Sequence, residues 1–168
     1  MRIAGIIKND IAAAPGFCVT VFVQGCHLHC PGCHNPETWD FDGGKPFTLN
    51  RYNEIKEALT ANGVHRDLCI MGGEPLAPEN LPDTAAMIRK IRDDFGAKIK
   101  IYVWTGYIYE DLMLTDDGHL AFILANIDCL IDGPFIQERR DITLHMRGSD
   151  NQRIIPLNYC TRKILERI

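Results

Sequence analysis

The 168-residue chain contains no apolar run approaching the ~18 residues of a membrane-spanning helix. It also lacks a strong charge of either sign, because 18 basic residues face 22 acidic ones, and this excludes the electrostatic footprint of a nucleic-acid-binding protein. Its first ten residues are only briefly apolar and lack a small-residue cleavage site, so they indicate a first strand rather than a signal peptide. These absences predict a cytoplasmic protein without nucleic acid or membrane partners.

The length and composition are those of one ordinary domain. Hydrophobic residues make up 46% and charged residues 24%, which excludes disorder for most of the chain. A full eightfold β/α barrel needs ~250 residues and does not fit, whereas a partial barrel does. No linker or repeat divides the sequence, so we predict a single domain over residues 1–168.

Strand-like and helix-like stretches alternate along the chain. The strand-like stretches are β-branched or apolar, and the helix-like ones carry apolar residues at helical spacing. Strands are predicted at 17–23, 68–73, 98–104 and 129–135, helices at 48–62, 79–95 and 107–126 (with a break near 116–118), and weaker strands at 143–149 and 152–157. This order predicts an α/β fold with a mostly parallel sheet and right-handed crossovers.

Unusual residues follow each of the four main strands. A cysteine-rich segment follows the first, Gly72-Gly73-Glu74 the second, Thr105 the third and Asp132 the fourth. The carboxyl ends of parallel strands share one edge of a sheet, where α/β folds build their active sites. We therefore expect these loops to meet at one site.

The seven cysteines divide into a cluster and four scattered residues. An odd number without a signal peptide indicates a reducing compartment, where cysteines more often bind metal or catalyse than form disulfides. Cys18, Cys69 and Cys129 lie in apolar, strand-like runs and are interpreted as small buried hydrophobic residues. Cys160 lies in a polar tail, and its sequence context suggests no role.

Cys26, Cys30 and Cys33 form a C-x3-C-x2-C segment in which Pro and Gly disfavour a continuous helix. A tight loop then brings the thiolates together, and thiolates bind zinc or iron–sulfur clusters. Three histidines lie in the same segment: His27, His29 and His34. A structural zinc site would need one of them as a fourth ligand. A four-iron cluster held by three cysteines would instead leave one iron open for chemistry, and the spacing favours this alternative.

The cysteine spacing, followed by a Gly-Gly-Glu loop after the next strand, resembles the radical S-adenosylmethionine (SAM) superfamily. Five segments, GCHLHCPGCHNPETWDFDGGKPFT, GGEPLAPEN, VWTGY, IDGPF and RGSDNQ, together resemble the activating-protein family of anaerobic (class III) ribonucleoside-triphosphate reductase. They span residues 25–152, nearly the whole chain. Gly32 departs from the superfamily pattern, because many members carry an aromatic residue at this position.

The resemblance implies a partial, open β/α barrel of radical SAM type with two cofactors. Cys26, Cys30 and Cys33 would hold one [4Fe-4S] cluster, whose open iron would bind SAM. Reductive cleavage of SAM would give methionine and a 5′-deoxyadenosyl radical. The resemblance also implies which residues bind SAM. Gly32, Cys33, His34 and Asn35 would lie on the adenine side. Gly72, Gly73 and Glu74 would bind the ammonium group, and Thr105 would bind the ribose or the carboxylate.

The resemblance also implies the partners. The protein substrate would be the anaerobic reductase, from which a glycine Cα–H is abstracted to leave a glycyl radical, and a reduced donor such as flavodoxin would supply the electron. Two alternatives stay open: activation of another glycyl-radical enzyme or a different small radical SAM activity, and a zinc-binding structural module.

Trp39 and Trp104 are interpreted as packing residues. The polar segment from Arg147 to Gln152 would either close the SAM pocket or contact a partner.

Overall fold

The computed structural model describes residues 1–157. Its strands are β1 (Arg2–Asp10), β2 (Cys18–Gln24), β3 (Lys45–Pro46), β4 (Asp67–Gly72), β5 (Ile101–Trp104), β6 (Cys129–Asp132) and β7 (Arg153–Pro156). They form one sheet in the order β3-β1-β2-β4-β5-β6-β7. The central strands β2, β4, β5 and β6 are parallel, and β1, β3 and β7 are antiparallel to the strands they pair with.

Helices connect the parallel strands. They are α1 (Leu49–Thr60), α2 (Leu81–Phe95), α3 (Tyr109–Leu114) and α4 (Gly118–Asn126). Thr48 caps α1 by accepting a hydrogen bond from the Arg51 amide, and Asp117 caps α4. The predicted break near 116–118 is confirmed, because it separates α3 from α4. The chain leaves α2 through Gly96, whose φ of +59° suits glycine.

The apolar faces of the helices pack on one side of the sheet. Val19, Val21 and Val23 of β2 point to this side and share a core with the helices. The other buried members of that core include Ile55, Leu59, Leu68, Ile70, Met87, Ile88, Ile91, Ile101, Val103, Ile123 and Leu130. Side chains alternate between the faces of a strand, so the intervening residues of the same strands must face the opposite side.

A second, smaller cluster covers that opposite face. Cys18, Cys69 and Cys129 are fully buried there beside Tyr102 and Ile131. The interpretation of these three cysteines as buried hydrophobic residues is confirmed. Cys160 lies outside the described residues.

The predicted α/β fold with a mostly parallel sheet is confirmed, and the sheet is not closed. Strands β3 and β7 lie at its two edges. The weak strand at 152–157 is present as β7, but the one predicted at 143–149 is wrong, because those residues form turns and irregular backbone. Among residues 1–157, no helix combines the length and apolar character needed to cross a membrane.

Candidate active site

The carboxyl ends of the parallel strands surround a cavity of about 360 Å³. The expected meeting of the strand-end loops is confirmed, because residues following β2, β4, β5 and β6 all contribute to its wall. Of the site residues named from the sequence, all but Gly32 line the cavity: Cys26, Cys30, Cys33, His34, Asn35, Gly72, Gly73, Glu74 and Thr105. One compartment therefore holds the thiols together with the glycine and glutamate loop.

The cysteine loop is fixed at both ends by backbone hydrogen bonds. The Cys26 amide donates to the carbonyl of Trp39 over 3.0 Å, which joins the start of the loop to the segment that follows it. The Cys33 amide donates to the carbonyl of Cys30, also over 3.0 Å, which closes a tight turn. His29 takes a positive φ of +46° between the first two cysteines. The loop thus curls around the cavity as the proline and glycine in the motif predict.

The thiols are partly withdrawn from water. Cys26 is buried, whereas Cys30 and Cys33 are half-buried. Burial raises the pKa of the Cys26 and Cys30 thiols above the ordinary value, because a thiolate loses hydration there. A metal centre that binds thiolates would have to displace these protons, so we expect loading to release protons.

The Gly72-Gly73 pair packs against the chain that leads into the cysteine loop. The Gly73 amide donates to the carbonyl of Val23 over 2.8 Å. Gly72 has a φ of +109°, and a Cβ on it would lie 2.8 Å from the backbone of Phe22 and Val23. A Cβ on Gly73 would lie 2.5 Å from the carbonyl oxygen of Gly25. Both glycines are therefore required by close backbone packing, whatever the cavity binds.

Glu74 is a fully buried carboxyl group at the cavity wall. Its Oε1 accepts hydrogen bonds from the Leu76 amide (2.9 Å) and the Thr105 hydroxyl (2.8 Å), and its Oε2 accepts one from the Gly106 amide (2.7 Å). Burial raises the pKa of Glu74 to about 7, although these three donors favour the ionised form. A carboxylate accepts about four hydrogen bonds, so one position is left for a ligand. Glu74 thus joins the β4 loop to the end of β5 at the cavity wall.

The sequence matches the family model of the 4Fe-4S single cluster domain over residues 12–155. It is 38% identical over 153 residues to the anaerobic ribonucleoside-triphosphate reductase-activating protein of Salmonella typhi, covering 90% of this chain and 96% of that protein. Proteins of the same name from Escherichia coli K12 and enterobacteria phage T4 are 38% and 34% identical, over 85% and 89% of this chain and 90% of each relative. This chain belongs to that family of activating proteins. The resemblance drawn from the sequence motifs is confirmed.

The site of this activating-protein family member fits a cluster held by three cysteines. Cys26, Cys30 and Cys33 line one cavity, and no other cysteine of residues 1–157 lines it. Within the same range, no three His, Cys, Asp or Glu side chains are close enough together to hold a single metal ion. A cluster bound there through three thiolates would keep one iron without a protein ligand.

The three histidines of the loop lie in different surroundings. His27 is exposed and its Nε2 lies 2.9 Å from Glu79 Oε1. The His29 ring packs on Trp39 with 4.6 Å between centroids. His34 lines the cavity and packs against Phe135 at 5.4 Å. Only His34 among the three borders the thiols' cavity.

Thr105 and Asn35 line the cavity, but part of their hydrogen-bonding capacity is used within the chain. The Thr105 hydroxyl donates to Glu74 and accepts from the Tyr107 amide over 3.1 Å. The backbone amide of Asn35 donates to Cys33 Sγ over 3.4 Å, and the backbone carbonyl of Asn35 accepts from the Thr38 hydroxyl. The predicted contacts of both residues with SAM stay predictions, and Thr105 has only an acceptor position left for them.

Gly32 has a backbone conformation that favours glycine, and it lies beside Gln137. Its φ is +71°, and a Cβ on it would lie 1.8 Å from the side-chain oxygen of Gln137. A larger residue would therefore meet both backbone strain and the Gln137 amide. Because the Gln137 side chain is exposed and flexible, the positive φ is the stronger reason for glycine at this position.

Asn80 is a buried residue of the site that the sequence did not reveal. Its side-chain amide donates to the carbonyls of Gln24 (3.0 Å) and Glu74 (2.9 Å), so it joins the exit of β2 to the loop after β4. The residue lies in the quoted segment GGEPLAPEN and precedes α2, where asparagine ordinarily indicates a helix cap. Its side chain caps nothing in α2 and holds the two loops together instead.

Part of the cavity wall is formed by residues 133–152, which connect β6 to β7. Gln152 organises this segment: its Oε1 accepts from the amides of Gly148 (2.8 Å) and Ser149 (3.2 Å), and its Nε2 donates to the carbonyl of Gly133 (3.0 Å). Arg147 lines the cavity from the same segment. Of the two readings left open from the sequence, these positions support closure of the pocket.

Proposed function

We propose that this chain activates an anaerobic ribonucleoside-triphosphate reductase by generating a glycyl radical on it, with a [4Fe-4S] cluster and SAM as cofactors. The observation that carries the proposal is the meeting of three thiols and the Glu74 loop in one cavity. The family membership supports it, because the relatives are named as activators of this reductase.

Cys26, Cys30 and Cys33 would hold the cluster through their thiolates. When bound, the cluster would supply the electron that cleaves SAM to methionine and a 5′-deoxyadenosyl radical. The chain contributes a rigid loop for the ligands, since the backbone of Cys26 is tied to Trp39 and that of Cys33 to Cys30. A preformed loop reduces the ordering that cluster binding requires.

Glu74 and the two preceding glycines would receive the ammonium end of SAM. The carboxylate keeps one acceptor position after its three internal hydrogen bonds, and an ammonium donor there would form a charge-assisted hydrogen bond. The glycines bring backbone carbonyls close to the same place. Cys33, His34 and Asn35 line the cavity and would face the adenine, with Thr105 as an acceptor for the ribose.

The rest of the cavity wall is largely apolar. Its apolar members are Ala12, Ala13, Leu28, Trp39, Met71, Trp104, Phe135, Leu144 and Met146. A reactive radical needs such surroundings, because water and exchangeable groups divert it from its target. The wall thus suits a reaction in which a radical abstracts a hydrogen atom from one particular carbon atom.

The open sheet supports a partial barrel of radical SAM type whose unclosed side admits a protein segment. The four parallel strands put the cavity at their carboxyl edge, and β3 and β7 leave the two sides of the sheet unjoined. The glycine-bearing segment of the reductase would enter from this open side. In a cytoplasmic setting, a reduced carrier such as flavodoxin would supply the electron.

The test is electron paramagnetic resonance of the anaerobically reconstituted, reduced protein mixed with SAM and the reductase. A glycyl doublet on the reductase that is lost when the target glycine is changed to alanine is the expected result. 5′-Deoxyadenosine production without a reductase radical would assign the chain to another radical SAM activity. Zinc without iron in anaerobically purified protein would overturn the cluster and indicate a structural module.

A further inference from the structure

The cavity meets solvent at two of its lining residues. Among residues 1–157, Ala12 and His34 are the lining residues that are exposed, and the other lining residues are buried or half-buried. His34 directly follows the last cysteine of the cysteine loop, beyond the carboxyl end of β2. Ala12 belongs to the connection that leads from β1 into the amino end of β2. The cavity is therefore accessible at a second place, which the cysteine loop does not form.

Asp10 fixes the backbone at this second opening. Its Oδ1 accepts hydrogen bonds from the amides of Ala12 (2.8 Å) and Ala13 (3.2 Å), and its Oδ2 accepts one from the Thr20 hydroxyl (2.7 Å). Thr20 is a fully buried residue of β2. The opening is thus held by the sheet before any partner arrives, and a preformed surface lowers the entropy cost of binding.

Two exposed isoleucines lie in the chain beside this opening. Ile11 immediately precedes Ala12 and is 73% exposed, and Ile7 of β1 is 46% exposed. Ile6 packs against the core on the helical side of the sheet, and side chains alternate along a strand, so Ile7 faces the side on which the cavity lies. Exposed apolar side chains grouped beside an opening are typical of an interaction surface.

The outer edge of β1 offers backbone hydrogen bonds to an extended chain. Among residues 1–157, β3 pairs with β1 only at Arg2 and Ile3, so the outer edge of β1 is unpaired in that range from Ala4 onward. An unpaired strand edge can accept an added strand, in which main-chain hydrogen bonds give affinity and alternate side chains give specificity. The surface therefore fits an extended polypeptide better than a small molecule.

The proposed function identifies a polypeptide that has to reach the cavity. The target glycine must bring its Cα–H to the radical, so the partner has to cover one of the openings. A cluster held by the three cysteines lies at the His34 end, and entry at Ala12 leaves the cysteine loop undisturbed. We propose that the glycine-bearing segment of the reductase docks as an extended strand on the edge of β1, contacts Ile7 and Ile11, and enters the cavity past Ala12. This inference rests on the proposed function, which supplies the identity of the partner.

The first experiment compares Ile11→Ser and Ile7→Ser with Leu114→Ser. Leu114 is the matched control, because it is 85% exposed and ends α3, whose Leu112 packs in the core on the helical side. The initial rate of glycyl radical formation is measured against the reductase concentration, with a photochemical reductant in place of a protein electron donor. Each isoleucine variant should raise the half-saturating reductase concentration roughly tenfold, because contacts of buried isoleucine stabilise a complex to that extent. Leu114→Ser should leave it unchanged.

Production of 5′-deoxyadenosine without the reductase separates docking from cofactor binding. It should be the same in the wild type and in all three variants. Lower production in the isoleucine variants would overturn the docking surface and assign these side chains to the cofactor site. Half-saturation at the wild-type concentration in both isoleucine variants would also overturn it, as would an equal increase in Leu114→Ser.

Photo-crosslinking tests the contact without relying on turnover. A benzophenone amino acid at position 11 should cross-link to the reductase peptide that contains the target glycine, and the same group at position 114 should not. Cross-links from position 11 to other reductase peptides alone, or none at all, would overturn the docking surface.

The two proposals fail in different measurements. The expected cross-link without a glycyl radical from the wild type would overturn the proposed function alone. A glycyl radical formed equally well by the wild type and both isoleucine variants would overturn the docking surface alone.

Discussion

Gly73 lies against Gly25 so closely that a Cβ on Gly73 would be 2.5 Å from the Gly25 carbonyl oxygen. Because Gly25 immediately precedes the first cysteine of the cluster loop, Gly73→Ala should push that loop away from the β4 loop. Overpacking of this kind costs roughly 1–3 kcal/mol. We expect lower stability in chemical denaturation and less iron per chain after reconstitution.

The control for this substitution is Gly118→Ala at the start of α4. A Cβ there would meet nothing within 4 Å, and its φ is not positive. Alanine in a helix is favoured over glycine by about 0.5–1 kcal/mol, so this variant should be as stable as the wild type or more so. Normal iron content in Gly73→Ala would show that the contact does not position the cysteine loop.

Alanine at any one of the three cavity cysteines should abolish intact cluster binding, because a second iron then lacks its protein ligand. The matched variants carry alanine at one of the buried cysteines Cys18, Cys69 and Cys129. These should retain the cluster and lose stability through the cavity that the smaller residue leaves. Iron analysis and the cluster absorption spectrum distinguish the two groups, and full iron content in Cys26→Ala would contradict the ligand assignment.

Glu74→Gln should weaken SAM binding while leaving the cluster spectrum unchanged. The amide keeps the size of the side chain and one acceptor oxygen but loses the charge. A charge-assisted hydrogen bond is worth about 1.5–3 kcal/mol, or roughly 10- to 150-fold in affinity. Titration of cluster-loaded protein with SAM measures the change. An unaltered dissociation constant would show that Glu74 does not bind SAM and only joins the β4 loop to Thr105 and Gly106.

The pH dependence of the same binding provides a separate check. The pKa of Glu74 is raised from 4.5 to about 7 by burial, so protonated Glu74 favours the folded state. That contribution to stability is fully present below pH 4.5 and is lost as the pH rises through about 7. An ammonium ligand requires the ionised form. The affinity advantage of the wild type over Glu74→Gln should therefore widen from about pH 6 to about pH 8, and a constant ratio would contradict the assignment.

Asn80→Leu should loosen the cysteine loop from the β4 loop. The change removes the donors to the buried carbonyls of Gln24 and Glu74, at a cost of about 1–3 kcal/mol. We expect faster loss of iron to a chelator as well as lower stability. Asn126→Leu is the control, because Asn126 makes a similar amide-to-carbonyl bond to Phe122 away from the site. Equal rates of iron loss in the two variants would show that Asn80 acts on stability alone.

The main elements of the site could be predicted because they depend on local patterns. Hydrophobic periodicity locates β2 and β4, and their parallel arrangement then brings Cys26 and Glu74 to the same edge of the sheet. Asn80 could not be found this way, since its partner Gln24 is 56 residues away in sequence. The predicted helix at 79–95 included Asn80, whereas in the structure Asn80 precedes α2 and its side chain binds the two loops.

The strand predicted at 143–149 failed for a related reason. Its backbone groups are used by side chains from elsewhere: Trp104 binds the Met146 carbonyl, and Gln152 binds the amides of Gly148 and Ser149. Met146 also has a φ of +59°, which breaks an extended strand. Alternating hydrophobicity in a short segment carries no information on these distant partners.

Residues 133–152 leave the sheet at the end of β6 and return to it at the start of β7, on the same edge. Gln152 helps to hold this connection, whereas the cysteines lie on the loop that follows β2. A change in this connection would reach the cysteine loop through the contact of Phe135 with His34. The fold therefore anchors one part of the cavity wall at the centre of the sheet and the other part at its edge.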